Sequence, residues 1–382
     1  MPRQLLFLIA DTGGAHRTLA TAVAKQLDQA WPGEFETAIV DPFTSLSPGI
    51  AGRTTGLYGP LIRHAPWLWG GLWHSTNSRS MVSIVELALR TVDPGIRRLV
   101  AQLQPAAIVS FHPLLGRAAA RARQQAGRPI PVVSVVTDLV DVHAFWACPD
   151  VDLMIVPSPV ALDRCRRDGV PASRLVEIGL PVSPAFAAPR PEREAQRAGR
   201  LALGLDPNRF TVLVCGGADG SGGIEHRARR LAGSPLDVNL VVVCGHNRGA
   251  QRRLAGLSDR HGQRVTVLGF IGNMAEWMAA SDVVVSKAGA GTIAEALCAG
   301  LPLLIAYFLP GQERGNMEWV VATGAGRYVP SDDELIRELA VLSLRGSPGL
   351  AAMRAAALRI ARPRATCEVA EAIRSIAGAG QG

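Results

Sequence analysis

A glycine-rich turn in the C-terminal half of the chain is followed closely by hydroxyl and carboxyl side chains. Residues 283–286 predict an apolar strand, residues 288–291 are all alanine or glycine, and a helix is expected to begin at Thr292. Glycine lets a backbone approach a phosphate closely and adopt positive φ, and a helix N-terminus offers unpaired N–H groups to an anion. Glu295, one turn later, suits paired ribose hydroxyls. The pattern predicts a nucleotide diphosphate pocket, against the alternative of an ordinary strand–turn–helix.

Two further segments extend this prediction. Gln312 and Glu313 lie in a polar loop and offer hydrogen-bond partners for the hydroxyls of a sugar. A second glycine-rich turn begins with Gly216 and Gly217, directly after the apolar residues 211–215, and its backbone also suits a diphosphate. This turn lacks the Lys-Ser/Thr of a P-loop, which disfavours an ATPase. The segments together favour a nucleotide diphosphate sugar as the ligand.

His16 is the side chain best placed for acid–base chemistry. It follows a predicted buried strand, residues 4–10, on a glycine turn that contains Gly14. Catalytic groups commonly lie at the carboxyl ends of strands in open α/β sheets, and a neutral imidazole can take a proton from an attacking hydroxyl near neutral pH. The alternative is a structural or helix-capping histidine. We expect Asp11 to orient the ring if the histidine is catalytic.

Polar side chains also end the next predicted strands. His112 follows residues 106–111, and Asp138 follows residues 131–137, so both should share the edge of His16 if the sheet is parallel. Asp138 is therefore a second candidate for the base or for an acid that orients it. A D-x-D sequence at residues 150–152 precedes its strand instead of following it, and we expect no metal site there.

Three of the seven tryptophans, Trp67, Trp69 and Trp73, fall within seven positions. Tryptophan favours the membrane–water interface because its ring is apolar and its N–H is polar. Neighbouring arginines could meet anionic headgroups. The alternative, a tryptophan-rich helix packed into a core, is as well supported by the residues alone.

Composition bounds the class of function. A chain of 382 residues with 48% hydrophobic content fits two domains of moderate size. No apolar run reaches the roughly 20 residues that span a bilayer. The net charge of +8 comes almost entirely from arginines dispersed among acids, which favours an anionic membrane surface or a composition bias over nucleic acid. Six scattered cysteines predict a reducing compartment. With no cleavage pattern visible at the N-terminus and a candidate docking segment, we expect a cytoplasmic, peripheral membrane protein.

The motifs DTGGAHR, SKAGAGTIAEALCAGLP and PGQERGN closely resemble those of the monogalactosyldiacylglycerol synthases. More broadly, they resemble the diacylglycerol glycosyltransferases, relatives of the enzyme that adds N-acetylglucosamine to lipid I. Ala15 and Ala290 depart from the family's usual glycine and proline. The resemblance implies a GT-B fold, in which two Rossmann-like α/β domains with parallel sheets face each other across a cleft. It also implies inversion at the anomeric carbon without a metal or another cofactor.

The resemblance also implies roles for individual residues. His16 would be catalytic, the loop after residues 265–268 would receive the uracil ring, and the tryptophan segment would contact the acceptor lipid and the membrane. The complete predicted donor site comprises Gly216, Gly217, Phe270, Ile271, Met274, Gly289, Gly291, Thr292, Glu295, Gln312, Glu313 and Asn316. The predicted acceptor and membrane residues are Gly14, Trp67, Trp69, Trp73 and His112.

The expected organisation is an acceptor domain over residues 1–186 and a nucleotide-sugar domain over residues 187–382. Long helices are expected over residues 81–103 and 351–376, the last crossing back to the first domain. The predicted reaction transfers galactose from UDP-galactose to diacylglycerol at an anionic membrane surface, with no nucleic acid partner. The alternatives are a UDP-glucose donor, another lipid acceptor, or a non-catalytic nucleotide-sugar-binding membrane protein.

Overall fold

The computed structural model describes residues 2–11, 15–45, 61–62, 65–124, 126–127, 129–188, 190–262 and 265–379. The chain forms two compact units. The first comprises Met1–Pro184, Pro310–Gln312 and Arg364–Gly382, and the second comprises Ala185–Leu309 and Glu313–Pro363.

The first unit contains a parallel sheet, which has six strands within the described residues, in the order β2-β1-β3-β4-β5-β6. The strands are β1 Arg3–Leu8, β2 Phe35–Val40, β3 Ala107–Ser110, β4 Val132–Val135, β5 Leu153–Val156 and β6 Leu175–Glu177. The three strands β1, β3 and β4 are adjacent and apolar, and they are almost wholly buried, as expected for a parallel sheet covered on both faces.

Helices surround this sheet. Those described are α1 Ala15–Ala30, α2 Pro42–Ser45, α3 Pro66–Thr76, α4 Arg79–Leu89, α5 Asp93–Leu103, α6 Leu115–Gln124 and α7 Pro159–Arg167. The C-terminal helix of the chain, Ala365–Ala379, also belongs to this unit and packs against α1.

The second unit repeats the plan with a parallel sheet in the order β12-β11-β10-β7-β8-β9, again six strands within the described part of the chain. The strands are β7 Phe210–Cys215, β8 Val238–Val243, β9 Thr266–Leu268, β10 Val283–Lys287, β11 Leu303–Tyr307 and β12 Gly326–Tyr328. Its described helices are α8 Arg193–Ala202, α9 Ile224–Ala232, α10 Arg248–Leu254, α11 Met274–Ala280, α12 Ala290–Cys298, α13 Arg314–Ala322, α14 Asp332–Leu342 and α15 Pro348–Ile360. The last helix of the chain, Ala365–Ala379, is α16.

The sequence prediction of two parallel α/β sheets is confirmed, but two expected helices were wrong in length. The helix expected over residues 81–103 ends at Leu89, and α5 begins at Asp93 with Pro94 in its first turn. The helix expected over residues 351–376 is interrupted between Ile360 and Ala365, a stretch that contains Pro363. Proline removes a helical N–H and clashes with the preceding turn, so it favours the start of a new helix over continuation.

Each unit has its own apolar core beneath its sheet. The core of the first unit includes Leu6, Leu8, Ile108 and Trp146, and that of the second includes Val212, Val242 and Leu304. Among the described residues, no helix is both long enough and apolar enough to cross a bilayer.

Candidate functional site

The register of the first sheet brings three strand ends together. Leu8 of β1 lies beside Ser110 of β3, and Ser110 lies beside Ser134 of β4. The chain leaves all three strands at the same edge because they are parallel. His16, His112 and the loop beginning at Thr137 therefore gather there, as the sequence predicted for an open α/β sheet.

The imidazole of His16 is held at one nitrogen. Its Nδ1 lies 3.2 Å from Oγ1 of Thr137, across 121 residues of sequence. Burial lowers the pKa of His16 to about 4, so the ring is neutral at physiological pH. In the tautomer whose Nδ1–H donates to Oγ1 of Thr137, Nε2 carries the lone pair that can accept a proton. Thr137, which the sequence did not single out, occupies the orienting position that we expected Asp11 to fill.

Asp11 is committed elsewhere. Its two carboxylate oxygens accept from Nε and a terminal nitrogen of Arg17, at 2.7 and 2.8 Å. This pairing holds the pKa of Asp11 below its usual value. The structure shows no hydrogen bond from Asp11 to His16 within the described residues, because Arg17, in the first turn of α1, matches both carboxylate oxygens at once.

His112 packs edge-on against His16, with ring centroids 5.0 Å apart, and is buried. Its Nδ1 accepts the backbone N–H of Leu114, at 3.3 Å, which places the ring proton on Nε2. Burial holds the pKa of His112 well below its usual value. The structure thus places this predicted acceptor-site residue beside the candidate base. Thr12, Gly13 and the predicted residue Gly14 lie outside the described residues.

The carboxylate of Asp138 accepts hydrogen bonds from within its own loop. Its Oδ2 accepts the indole N–H of Trp146 at 2.8 Å and the backbone N–H of His143 at 3.3 Å. Burial raises the pKa of Asp138 to about 6, against the opposing effect of these hydrogen bonds. The carboxylate lies next to Thr137, and its described contacts shape residues 138–146.

The tryptophan segment forms helix α3, with Pro66 in its first turn. Trp67 is 72% exposed, Leu68 and Leu72 are each 48% exposed, and Trp69 is half-buried. Trp73 differs from its predicted role in membrane contact and matches the alternative of a tryptophan packed into a core. It is only 9% exposed and packs edge-on against His143, with centroids 5.3 Å apart, so it anchors the helix instead of contacting a bilayer.

In the second unit, the central glycine-rich turn differs in detail from its prediction. Helix α12 begins at Ala290, not Thr292, and Gly289 is its N-cap with φ of −72°. Thr292 lies inside the first turn, and its side chain makes no capping hydrogen bond. The φ of Gly289 is one that any residue adopts, but a Cβ there would lie 3.3 Å from Nζ of Lys287 and would crowd that ammonium group. At Gly291 a Cβ would meet nothing within 4 Å, so the start of the helix is open.

The other glycine-rich turn follows β7, the strand adjacent to β10. Gly217 has φ of +68°, and a Cβ on Gly216 would lie 2.4 Å from the backbone oxygen of Ser221. Only glycine fits both positions. Because β7 and β10 are neighbours and parallel, the two glycine-rich turns lie at the same edge of the sheet.

Glu295 has an unusual environment for a carboxyl group. It is half-buried, and burial raises its pKa to about 7. Within the described part of the chain, its side chain makes no hydrogen bond or ion pair. A desolvated carboxyl group without a protein partner favours binding of a ligand that supplies donors, as paired hydroxyls do.

The polar loop after β11 is divided between the units. Gln312 belongs to the first unit, whereas Glu313 and Asn316 belong to the second and are buried. Asn316 donates to the backbone oxygen of Ala288 at 3.0 Å and so supports the turn before α12. Glu313 pairs with Lys287, to which the sequence pattern assigned no role. The positive charge of Lys287 at a strand end, directly before a glycine-rich turn, was the signal that could have identified this lysine.

The predicted base-binding loop follows β9. Phe270 is 58% exposed, and Ile271 and Met274 are half-buried. The ring of Phe270 stacks on that of His246, with centroids 4.2 Å apart and an interplanar angle of 9°. His246 follows the neighbouring strand β8 and was not predicted, because the pairing of β8 with β9 is not visible in the sequence.

The D-x-D sequence is engaged in the first unit's structure. Asp152 accepts the backbone N–H of Val132 at 2.8 Å and pairs with Arg123. Across the described residues, no group of three or more His, Cys, Asp or Glu side chains is arranged to hold a metal ion.

Two family models match the chain. Residues 16–182 match the monogalactosyldiacylglycerol (MGDG) synthase model, and residues 211–359 match the glycosyltransferase family 28 C-terminal domain. The first match spans His16, His112 and Asp138, and the second spans both glycine-rich turns of the second unit.

A curated relative and two solved structures extend these matches. Monogalactosyldiacylglycerol synthase 1 of Arabidopsis thaliana is 34% identical over 96% of this chain and 70% of that protein. The crystal structure of Acinetobacter baumannii MurG has a TM-score of 0.62 at 19% identity, covering 98% of this chain and all of that chain. Anabaena HepE in complex with UDP-glucose has a TM-score of 0.55 at 17% identity, with the same coverage. The two structures show a shared fold.

Proposed function

The chain belongs to the monogalactosyldiacylglycerol synthase family and is a glycosyltransferase, and from that premise we propose that it transfers galactose from UDP-galactose to diacylglycerol. The observation that carries the proposal is the neutral imidazole of His16, fixed at Nδ1 by Thr137 at the carboxyl edge of the first sheet. An uncharged histidine at that position has a lone pair that can accept a proton, which a purely binding protein does not require.

The reaction proceeds by direct displacement. Nε2 of His16 takes the proton of the diacylglycerol hydroxyl as its oxygen forms a bond to the anomeric carbon. The bond from that carbon to the β-phosphate oxygen breaks, and its electron pair leaves with UDP. Attack from the face opposite the leaving group inverts the anomeric configuration.

The donor is bound by the second unit. The backbone at Gly216, Gly217 and the first turn of α12 supplies N–H groups for the diphosphate, and Glu295 accepts from the ribose hydroxyls. The uracil ring binds beside Phe270. The HepE structure, which shares this fold, contains UDP-glucose. These groups stabilise the negative charge on departing UDP, and we propose that transfer needs no metal.

The acceptor reaches the enzyme from a bilayer. Diacylglycerol is confined to membranes by its acyl chains, so the enzyme must bind the membrane surface. Trp67, Leu68 and Leu72 provide an exposed apolar face on α3, which supports peripheral docking. The net charge of +8 favours vesicles that contain anionic lipid.

The proposal is tested by incubating the protein with radiolabelled UDP-galactose and vesicles containing diacylglycerol, followed by thin-layer chromatography. We expect a labelled lipid that co-migrates with monogalactosyldiacylglycerol and whose β-linkage is shown by NMR. Added chelator should leave the rate unchanged. His16→Ala is the control, because it should bind the donor without producing the lipid. Formation of free galactose alone would contradict acceptor transfer.

The second candidate is a glucosyltransferase. Galactose and glucose differ by one axial or equatorial hydroxyl, and the HepE complex contains UDP-glucose in the same fold. A parallel incubation with UDP-glucose decides between them, through the ratio of kcat/KM for the two donors.

A further inference from the structure

Lys287 lies beside both glycine-rich turns of the second unit. It is the last residue of β10, and its side chain is 18% exposed. A Cβ on Gly289 would lie 3.3 Å from Nζ of Lys287, and a Cβ on Gly217 would lie 3.5 Å from its Cε. The aliphatic stem therefore passes one turn and the ammonium group borders the other.

Glu313 forms an ion pair with this ammonium group. One carboxylate oxygen, Oε1, pairs with Nζ of Lys287, and the other, Oε2, accepts the backbone N–H of Leu309 at 2.9 Å. The carboxylate is 7% exposed. A Cβ on Gly289 would lie only 3.7 Å from Oε1, so the ion pair is formed against the turn that leads into α12.

A purely structural role for the ion pair of Lys287 and Glu313 does not account for the whole arrangement. Glu313 is already held through Oε2, and the turn before α12 is supported separately by Asn316. Glycine at 217 and 289 leaves the ammonium group bordered by backbone, and the space at Gly291 is open. An anion that bonds the N–H groups of the two turns would therefore meet Lys287 at short range.

We propose that Lys287 changes partner when the donor binds. Its ammonium group moves from Glu313 to the diphosphate, and the released Oε1 of Glu313 accepts from a hydroxyl of the hexose. Recognition of the diphosphate and of the sugar is then coupled through one ion pair. The proposal rests on the proposed donor, a nucleotide diphosphate hexose, adds Lys287 to its site and links that residue to Glu313, which the sequence already assigned to the sugar hydroxyls. The cation also offsets the charge that develops on the β-phosphate as the sugar leaves.

Lys287→Met tests the diphosphate contact, since methionine has a similar length without charge. Affinities for UDP-galactose, UDP and uridine are measured by calorimetry in the absence of acceptor. We expect about tenfold to hundredfold weaker binding of the two diphosphates, with uridine within about twofold of wild type. Lys287→Arg is the matched control and should keep most of the affinity for UDP. Unchanged binding of UDP to a folded Lys287→Met protein would overturn the proposal.

Glu313→Gln tests the exchange. UDP should bind more tightly than to wild type, by about threefold to tenfold, because no carboxylate competes for the ammonium group. UDP-galactose should gain less than UDP or bind more weakly, because the acceptor for its hydroxyl is altered. The two ligands therefore respond differently to one substitution. Equal losses for UDP, UDP-galactose and uridine would identify a structural ion pair and overturn the exchange.

The double variant Lys287→Met/Glu313→Gln removes the buried charge that the first variant leaves unpaired, so it guards against misfolding. The tighter binding of UDP that we expect of Glu313→Gln should be absent from the double variant, whose affinity for UDP should equal that of Lys287→Met alone. If the double variant binds UDP more tightly than Lys287→Met does, Lys287 is not the group that Glu313 restrains. All these measurements omit the acceptor. Wild-type protein that binds UDP-galactose as expected but fails to glycosylate diacylglycerol would contradict the proposed reaction, not the exchange.

Discussion

Nδ1 of His16 and Oγ1 of Thr137 are 3.2 Å apart, although the two residues are separated by 121 positions in the chain. The contact arises because β1 and β4 both border β3 and end at the same edge of the sheet. Thr137 follows β4 by two residues, and His16 lies in the first turn of α1. A hydroxyl is thus available to hold the imidazole at Nδ1.

His16→Ala should lower kcat for transfer by about 10³-fold or more while the affinity for UDP-galactose stays within about twofold. The base is lost, but no donor contact is removed. Steady-state kinetics and calorimetry check the two expectations. In wild type, kcat/KM should fall as the pH drops through about 4, since the imidazole must be unprotonated and its pKa is lowered to about 4. A retained rate in the variant would remove His16 from the mechanism.

Thr137→Val should lower kcat by about fivefold to tenfold with little change in KM, because one neutral hydrogen bond that positions the ring is lost. Thr137→Ser keeps the hydroxyl and should restore most of the rate. The pH profile supplies a further readout, since loss of the contact should shift the acidic limb. Equal effects of valine and serine would indicate packing and not orientation.

Asp138→Asn should keep kcat within about tenfold of wild type, because the amide oxygen can still accept from Trp146. Asp138→Ala should destabilise the protein by about 1–3 kcal/mol, because buried N–H groups lose their partner. A loss of activity in Asp138→Asn as large as that in His16→Ala would instead indicate that Asp138 takes part in proton transfer.

The same carboxyl group predicts a pH dependence of stability. Its pKa in the folded protein is raised to about 6 from a usual value of 3.8, so folding favours the protonated form. Its contribution is fully present below the usual pKa and is lost as the pH rises through about 6. Thermal unfolding measured across this range should show a shallower pH dependence for Asp138→Asn. An unchanged slope would contradict the burial of this carboxyl group.

Glu295→Gln should weaken binding of UDP-galactose about tenfold, because a charged acceptor for the ribose hydroxyls is lost. In wild type the affinity should fall as the pH drops through about 7, where Glu295 becomes protonated. The glutamine variant should lack this dependence. UDP-galactose is the better probe here than UDP, whose terminal phosphate titrates near pH 6. A pH slope that persists in the variant would refute the ribose assignment.

Replacing Trp67, Leu68 and Leu72 with serine should reduce binding to anionic vesicles by about tenfold or more, because these exposed apolar side chains would no longer enter the interface. Flotation with liposomes measures the bound fraction. Val341→Ser/Leu344→Ser, at exposed apolar positions of the second unit, is the matched control. Trp73 is left intact because it is buried. Equal binding by the two sets would place the docking surface elsewhere.

The local pattern of the sequence was enough to locate the strands and the turns that follow them. Short apolar segments bounded by glycine or polar residues predicted two parallel sheets, and the order of residues alone put His16, Asp138 and Gly289 in the segments that follow strands. The motifs identified the family because they combine glycine spacing with the polar residues that follow. The proline breaks before α5 and α16 were also present in the sequence, but continuous apolar spacing outweighed them in the prediction.

The tertiary structure decided which side chains became partners. The contacts of Thr137 with His16, of Lys287 with Glu313 and of His246 with Phe270 each join segments that are distant in the chain. Strand order and register determine such pairs, and neither is encoded in any single segment. Burial was likewise decided by packing. It lowers the pKa of His16 and raises that of Glu295, and within one helix it leaves Trp67 exposed and Trp73 buried.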